Sequence, residues 1–497
     1  MKKTMDIFYK LSLVLFISIF ILIFVINLYN MVKFDFLWAV PLALIFLGVF
    51  YLAYRKIKTF KIPWWITTIF LIIALVLITI IGLKTRVGYT WDYGTVLTSA
   101  YDEINHIDAP VYYFGRFPNN IPLLVLEIII GKICKLYNAH ITLYGFQTAT
   151  ILFNSVIVFL NIVLFNYIVK KVIGDKAVIL SILLSILFAP LYLYATILYT
   201  DTLALLLMLL SFLFYYLYEK YSNLKKKRNV FFILTIISIV IGYKFKATNL
   251  FVLVAILIDY CKNWEWKKIM IFPIAFVILM LPVNSMIDKV YKISNEDMYT
   301  YGFPYSHWIM MSLNPKTNGG YSSEDVAFSR SFANIEERKE GIKKELIDRF
   351  HSYSTSALLK RILIDRNMQV WADPALGTDN YLSREPYHNT IITKFVNYKG
   401  KYHKFYITYL KSIFCLCLLG AIISGIIGFK TYNKYIYICN LLLIGIFLFE
   451  LVWEIHARYI FTFVPFLMIC SIYGFTKIID YYKEEDHETV KNRKKAY

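Results

Sequence analysis

Residues 64–83, WWITTIFLIIALVLITIIGL, form an unbroken run without a charged side chain. A helix needs about 20 such residues to cross the ~30 Å hydrocarbon core of a bilayer. The run LSLVLFISIFILIFVINL at 11–28 reads the same way. Composition agrees: 59% of residues are hydrophobic and 17% charged, and mean hydropathy is +0.57. Soluble domains are roughly half apolar and a quarter charged. The fold class is therefore an all-α polytopic membrane protein. The first run exceeds the ~7–15-residue core of a secretory signal and no small-residue cleavage motif follows, so it is expected to be retained as a helix.

The formal charge of +20 sits largely in short clusters between apolar runs: MKK at 1–3, RKIKTFK at 55–61, KK at 170–171, KKKR at 225–228, KTYNK at 430–434 and KNRKK at 491–495. That pattern marks the cytoplasmic side and anionic lipid rather than a nucleic-acid partner. The six cysteines make no CxxC pair and mostly lie in or beside apolar runs, as small core residues do.

Reading apolar runs against basic clusters gives about twelve spans, near 7–28, 34–54, 63–83, 142–169, 177–198, 202–220, 230–244, 247–261, 267–286, 407–428, 435–453 and 459–478. Both termini then fall on the cytoplasmic side of a multi-pass protein of the cell membrane. The pair 230–244 and 247–261 reads either as two short spans or as one element broken at YKFKATN. Residues 119–136 carry Glu127, Lys132 and Lys135 within an apolar helix, which suits a helix lying on the outer surface. The organisation expected is two N-terminal spans over 1–62, a core over 63–286 with an outer loop at 84–141, and an extracytoplasmic α-rich domain over 287–406. C-terminal spans over 407–478 and a cytoplasmic tail over 479–497 complete it.

With this parity the polar features between spans share the outer side: WDYG at 91–94, YFGRFPNN at 113–120, YTD at 199–201, YKFK at 243–246, SHW at 306–308 and EIHARY at 454–459. Ionisable groups at membrane depth usually mark a working surface. Glu450, Glu454 and Arg458 share one face if the helix runs through them. Asp201 reads either as the N-cap of the helix that follows or as a site residue. His307 reads as a satisfied loop histidine or as a pocket residue.

These motifs, in this order, resemble the GT-C superfamily of integral-membrane glycosyltransferases, and specifically its glycosyltransferase-39-like, polyprenyl-phosphate-sugar-dependent group. The likeness rests on WDYG in the first large outer loop and on YFGRFPNNIPLLVLEIIIGKI leading into a surface helix. LYTDTLALLLMLL and EIHARYIFTFVPF complete it, and SHWIMMSLNPKTNGGYSSED looks like the outer loop of Gram-positive relatives. Such relatives commonly carry an Asp–Glu pair where this chain has Asp92–Tyr93. No cofactor is called from the sequence, although the family pattern admits a divalent metal.

The resemblance implies transfer of a sugar from a polyprenyl-phosphate donor, with inversion, to an extracytoplasmic acceptor such as a cell-wall or envelope glycopolymer or a lipid-linked glycan. Asp92 is then expected as the general base. Arg116, Lys244, Lys246 and Arg458 are expected at the donor phosphate, with Asn119, Asn120, Asp201, His307, Glu454, His456 and Tyr459 lining the pocket. The rival readings are a polysaccharide polymerase or ligase, a lipid flippase or transporter, and a non-catalytic assembly partner. A transporter would place its ionisable groups near the bilayer midplane, whereas these gather at one face.

Overall fold

The computed structural model describes residues 2–56 and 64–495, with side chains described over 6–56 and 65–481. The basic runs at 1–3, 57–61 and 491–495, read above as inner-face anchors, have side chains outside that range.

The long elements are α1 (Lys2–Lys33), α2 (Ala39–Lys56), α3 (Trp64–Lys84), α4 (Trp91–Ile104), α5 (Ile121–Tyr137), α6 (Leu143–Val172) and α7 (Val178–Leu187). They continue as α8 (Thr200–Lys220), α9 (Lys225–Phe245), α10 (Leu250–Lys262), α11 (Trp266–Asp288), α12 (His403–Gly428), α13 (Lys434–Val452) and α14 (Val464–Lys495). Among the described residues, ten helices are long and apolar enough to cross a membrane. An eleventh span is counted if the segments Asp175–Leu187 and Pro190–Thr196, bent by 61° against each other, form one crossing. Pro190 lacks the N–H that would carry the helix onward.

Ten or eleven helices are thus long enough to span on their own, against the twelve spans read from the sequence. The expected pair of short spans at 230–261 resolves into unequal parts. α9 is a full 21-residue helix, while α10 has 13 residues, about 20 Å at 1.5 Å per residue. A short 3₁₀ turn at Ala247–Asn249 joins them. The tail over 479–495 is helical, continuous with the last span.

The centre of the bundle is α12 against α14, with α1 laid along α12. Small residues bring α12 and α14 together: a side chain at Gly420 would collide with Ser471, and one at Gly474 with the Gly420 carbonyl. Close backbone approach of this kind is how helices gain packing energy where lipid is as apolar as leucine. Lys411 of α12 closes the contact with α1, its Nζ 2.6 Å from Asn30 Oδ1.

Two polar layers cap the bundle. At one end Glu219 takes Lys434 at 2.8 Å and Lys268 at 3.1 Å. Asp259 of α10 takes Lys434 at 3.1 Å, so even this short helix reaches the same layer. The opposite end holds the candidate site and the domain over 287–406.

α5 buries one face (Leu123, Leu124, Glu127, Ile128) and leaves Leu136 and Tyr137 exposed. It lies mainly against α4 and α6 and, at 17 residues, is shorter than the ~20 needed to cross a bilayer. The domain over 287–406 is a set of helices, five of which start on side-chain caps. Ser294, Ser322, Asn334, Ser354 and Thr390 each accept a backbone N–H of the first turn, which supplies donors a short helix otherwise leaves unsatisfied.

This cap domain is fastened to the bundle. Asn27 Nδ2 donates to the Trp371 carbonyl at 3.0 Å, and Lys411 Nζ to that of Ala372 at 2.9 Å. Arg366 donates to the carbonyls of Glu450 (2.7 Å), Leu451 (3.3 Å) and Trp453. A cation there satisfies the open C-terminal carbonyls of α13 and complements its dipole.

Candidate functional site

Asp92 is positioned by a tight loop. Between α3 and α4 the chain pairs with the cap domain: Gly88 N–H donates to the Glu385 carbonyl at 2.9 Å, and Tyr387 N–H to that of Arg86 at 3.0 Å. It then turns so sharply that a Cβ on Gly94 would overlap the Tyr89 backbone. Trp91 adopts φ = +50°, a left-handed conformation that is costly for a bulky residue and concentrates at functional sites. Asp92 follows in the first turn of α4, where the helix dipole favours a carboxylate.

Two tyrosines face that carboxylate. The Tyr113 hydroxyl donates to Asp92 Oδ1 at 2.9 Å. The Tyr199 hydroxyl lies 3.5 Å from Asp92 Oδ2 and 3.1 Å from Asn120 Oδ1. Asn120 Nδ2 closes the ring by donating to the Tyr113 oxygen at 2.8 Å. Burial, and then the charge of Asp92, push the Tyr113 phenol far up, so it serves as a donor. Tyr93 turns away: it is buried against Gln147, whose Nε2 is 3.1 Å from its hydroxyl. The position that commonly carries a second acid in the resembled family therefore does not face Asp92 here. Among the described residues no group of three or more His, Cys, Asp or Glu side chains is placed to hold a metal ion.

Arg458 lies against the ring of Tyr199. Its guanidinium carbon lies 4.9 Å from the Tyr199 ring, 5.1 Å from that of Trp91 and 5.6 Å from that of Tyr381. Arg458 is 9% exposed, and its Nε and Nη1 are buried without a hydrogen-bond partner among the described residues. Lys246 completes the layer, with Nζ 2.5 Å from Asp201 Oδ1 and 5.1 Å from the centre of the Tyr459 ring. Asp92, Asn120, Tyr199, Asp201, Lys246, Arg458 and Tyr459 thus form one connected group at one end of the bundle.

Residues 31–478 match the family model described as "conserved hypothetical integral membrane protein". The chain belongs to that family. No curated protein matches it. A multi-pass membrane protein of this family therefore carries, at one end of its bundle, two carboxylates, two cations and a wall of aromatic rings.

Other expected site residues of this family member lie elsewhere. Lys244 has Asp288 as its charged neighbour, away from the group around Asp92. Arg116 stacks on Tyr112 at 5.3 Å and faces the cap-domain cations Arg330 and Arg338. Asn119 touches the group only through Asn120, 3.2 Å away. Glu454 holds His456 at 3.2 Å, and the His456 and Tyr459 rings are 5.6 Å apart, so both stand at its edge.

Asp201 is not a cap. The N-cap of α8 is Tyr199, and Asp201 in the first turn spends its carboxylate on Lys246. His307 is sealed inside the cap domain at 1% exposure, with Nδ1 2.7 Å from Ser329 Oγ. Burial pulls its pKa down to about 4, so it is neutral at physiological pH. The shared face of Glu450, Glu454 and Arg458 does not form either, because α13 stops at Val452 and helical turns resume only at Ala457. Glu450 instead accepts from Trp371 Nε1 at 2.9 Å.

Tyr113 and Tyr199 were inside the quoted motifs yet not singled out. Tyr199 stands two residues before Asp201, a local signal, whereas Tyr113 has its nearest acid five residues away at Asp108. Tyr381 and Arg366 come from the cap domain and carry no local signature.

Proposed function

We propose that this protein is a membrane glycosyltransferase of the GT-C type, moving a sugar from a polyprenyl-phosphate donor to an extracytoplasmic acceptor with inversion. One observation carries the reading. Arg458 keeps two buried guanidinium donors unpaired next to the tyrosine that contacts Asp92. An unsatisfied buried donor costs about 1–3 kcal/mol, a cost best explained by an anionic oxygen ligand such as a phosphate. A carboxylate and a phosphate site that share contact with Tyr199 suit glycosyl transfer from a lipid phosphate.

In this reading the acceptor hydroxyl gives its proton to Asp92 as its oxygen bonds the anomeric carbon. The bond from that carbon to the phosphate oxygen breaks, and the electron pair leaves with the lipid phosphate. Positioned general bases contribute about 10²–10⁴-fold. Arg458 and Lys246 stabilise the charge on the leaving group from a site largely closed to water. Tyr113 and Asn120 hold Asp92 in its orientation.

The donor cannot leave the bilayer, so its headgroup defines the depth of the site. The basic clusters support cytoplasmic termini and an extracytoplasmic Asp92, with the domain over 287–406 covering the acceptor. The acceptor is a cell-envelope glycopolymer or its lipid-linked precursor. Transfer measured in membranes with defined undecaprenyl-phosphate sugars, with Asp92→Asn as control, tests the activity. Cysteine labelling at position 308 in intact cells tests the sidedness. Labelling only after permeabilisation overturns the reading.

A further inference from the structure

The short helix Ile391–Val396 of the cap domain separates two unlike spaces. On one side Ile392 and Phe395 line a groove of about 790 Å³ together with Trp38, Ile45, Tyr192 and Tyr409. Its lining is almost wholly apolar and includes the end of α2 beside Trp38 and the start of α12. Trp38 is 79% exposed, as an indole seated at headgroup level would be. On the other side Thr393 and Lys394 line a space of about 780 Å³ with Arg384, His388, Lys399 and Lys401.

That second space is cationic in an unusual way. Its lining holds Arg384, Lys394, Lys399 and Lys401 and no carboxylate. Among the described residues none of the four is in an ion pair, although Lys316, Lys339, Arg349 and Lys360 of the same domain each find an acid. With the cap domain outside, these cations also run against the positive-inside bias. Four unpaired cations beside an apolar groove at the edge of the bilayer complement an amphiphile with an anionic head.

The geometry points to a binding site for an anionic phospholipid of the surrounding bilayer. Its acyl chains occupy the groove beside Trp38, and its phosphate is held by Arg384, Lys394 and Lys401. None of Asp92, Asp201, Lys246 or Arg458 lines either space, so the site is separate from the one proposed for sugar transfer. It still communicates with it. Arg384 lies 5.3 Å from the Tyr381 ring and Arg458 lies 5.6 Å from the same ring. A lipid that fixes Arg384 also fixes a wall of the Asp92 group.

The experiment uses the full chain purified in neutral detergent and titrated with dioleoylphosphatidylglycerol, following bound lipid by native mass spectrometry and the unfolding temperature. Saturable binding that raises the unfolding temperature, with dioleoylphosphatidylcholine binding far more weakly, is expected. Arg384→Gln with Lys394→Gln should weaken phosphatidylglycerol binding about tenfold or more, at roughly 1 kcal/mol per basic residue near a charged headgroup. Phe395→Asp should weaken it by placing a charge in the groove meant for acyl chains. Lys399→Gln with Lys401→Gln serves as a second variant pair, and gel filtration verifies that each variant is folded. Equal binding of the two phospholipids, or wild-type binding by both charge-removed pairs, overturns the site. So does an equal shift with inorganic phosphate alone, or displacement by an equimolar amount of undecaprenyl phosphate, which would mark a free anion site or a donor site.

Discussion

Lys246 Nζ and Asp201 Oδ1 lie 2.5 Å apart, with side chains 12% and 2% exposed. Removing one partner of a buried ion pair typically costs about 3–5 kcal/mol because the other charge is left uncompensated. Asp201→Asn, harmless at a helix cap, is therefore expected to lower the unfolding temperature markedly. Asp201→Asn with Lys246→Met should recover part of the loss, as a thermal-unfolding cycle on the four proteins would show. An Asp201→Asn protein as stable as the wild type would show that the pair with Lys246 adds nothing to stability.

The clamp between cap domain and bundle gives a second expectation. Arg366 is 2% exposed and holds the last carbonyls of α13. Burial, and then the neighbouring Arg361, lower its pKa to about 10, which still leaves it charged at neutral pH. Arg366→Met keeps the volume but leaves several buried carbonyls without donors, each costing about 1–3 kcal/mol. Limited proteolysis should find 287–406 largely intact in the wild type and rapidly cut in Arg366→Met. Equal resistance in both would mean that other contacts carry the docking.

His307 supplies a pH dependence with a definite sign. Its folded pKa, about 4, lies below the ordinary value of 6.5 because burial disfavours the imidazolium. Glu454 and Asp325 pull the other way, while Arg338 and Arg349 add to the depression. The unfolded chain therefore binds the proton more tightly. This contribution to stability is full above pH ~6.5 and is lost progressively as pH falls toward 4. A shift of this size corresponds to roughly 3 kcal/mol. Unfolding measured in detergent between pH 4 and 7 should fall less steeply with acid in His307→Gln than in the wild type, and parallel curves would refute the assignment.

How much of this was legible follows from how far apart the partners are in the chain. The spans were readable because each is written locally, as a run of apolar residues longer than the bilayer is thick. Asp92 was readable because it stands immediately after such a run. The stop of α13 at Val452 was not: ELVWEIHARY holds no proline or glycine, and the helix ends where Arg366, 84 residues earlier, takes its carbonyls. The supposed stripe of Glu450, Glu454 and Arg458 failed for that reason. Tyr381 likewise reaches Arg458 only through the folding of the cap domain. Asp201 was ambiguous because a cap and half of an ion pair look alike until Lys246 is in place.

Asp92 supports the most demanding expectation. The carboxylate is held by Tyr113 and approached by Tyr199, and Asn is nearly its shape. Asp92→Asn can keep the Tyr113 hydrogen bond yet cannot take up a proton from an acceptor hydroxyl. Turnover in the membrane transfer assay should fall by about 10²–10⁴-fold while donor binding persists. Arg458→Lys should do the converse in part, weakening donor binding as well as turnover, because an ammonium cannot offer the planar fork that pairs with phosphate. Lys244→Ala, with its charge directed at Asp288 rather than at this group, should leave transfer unchanged. Tyr199→Phe is expected to lie between, since it removes one hydroxyl near the carboxylate and keeps the ring against Arg458. If Asp92→Asn turned over like the wild type in a folded protein, Asp92 would not be the base. Asp201 could not simply replace it, because its carboxylate is already engaged by Lys246.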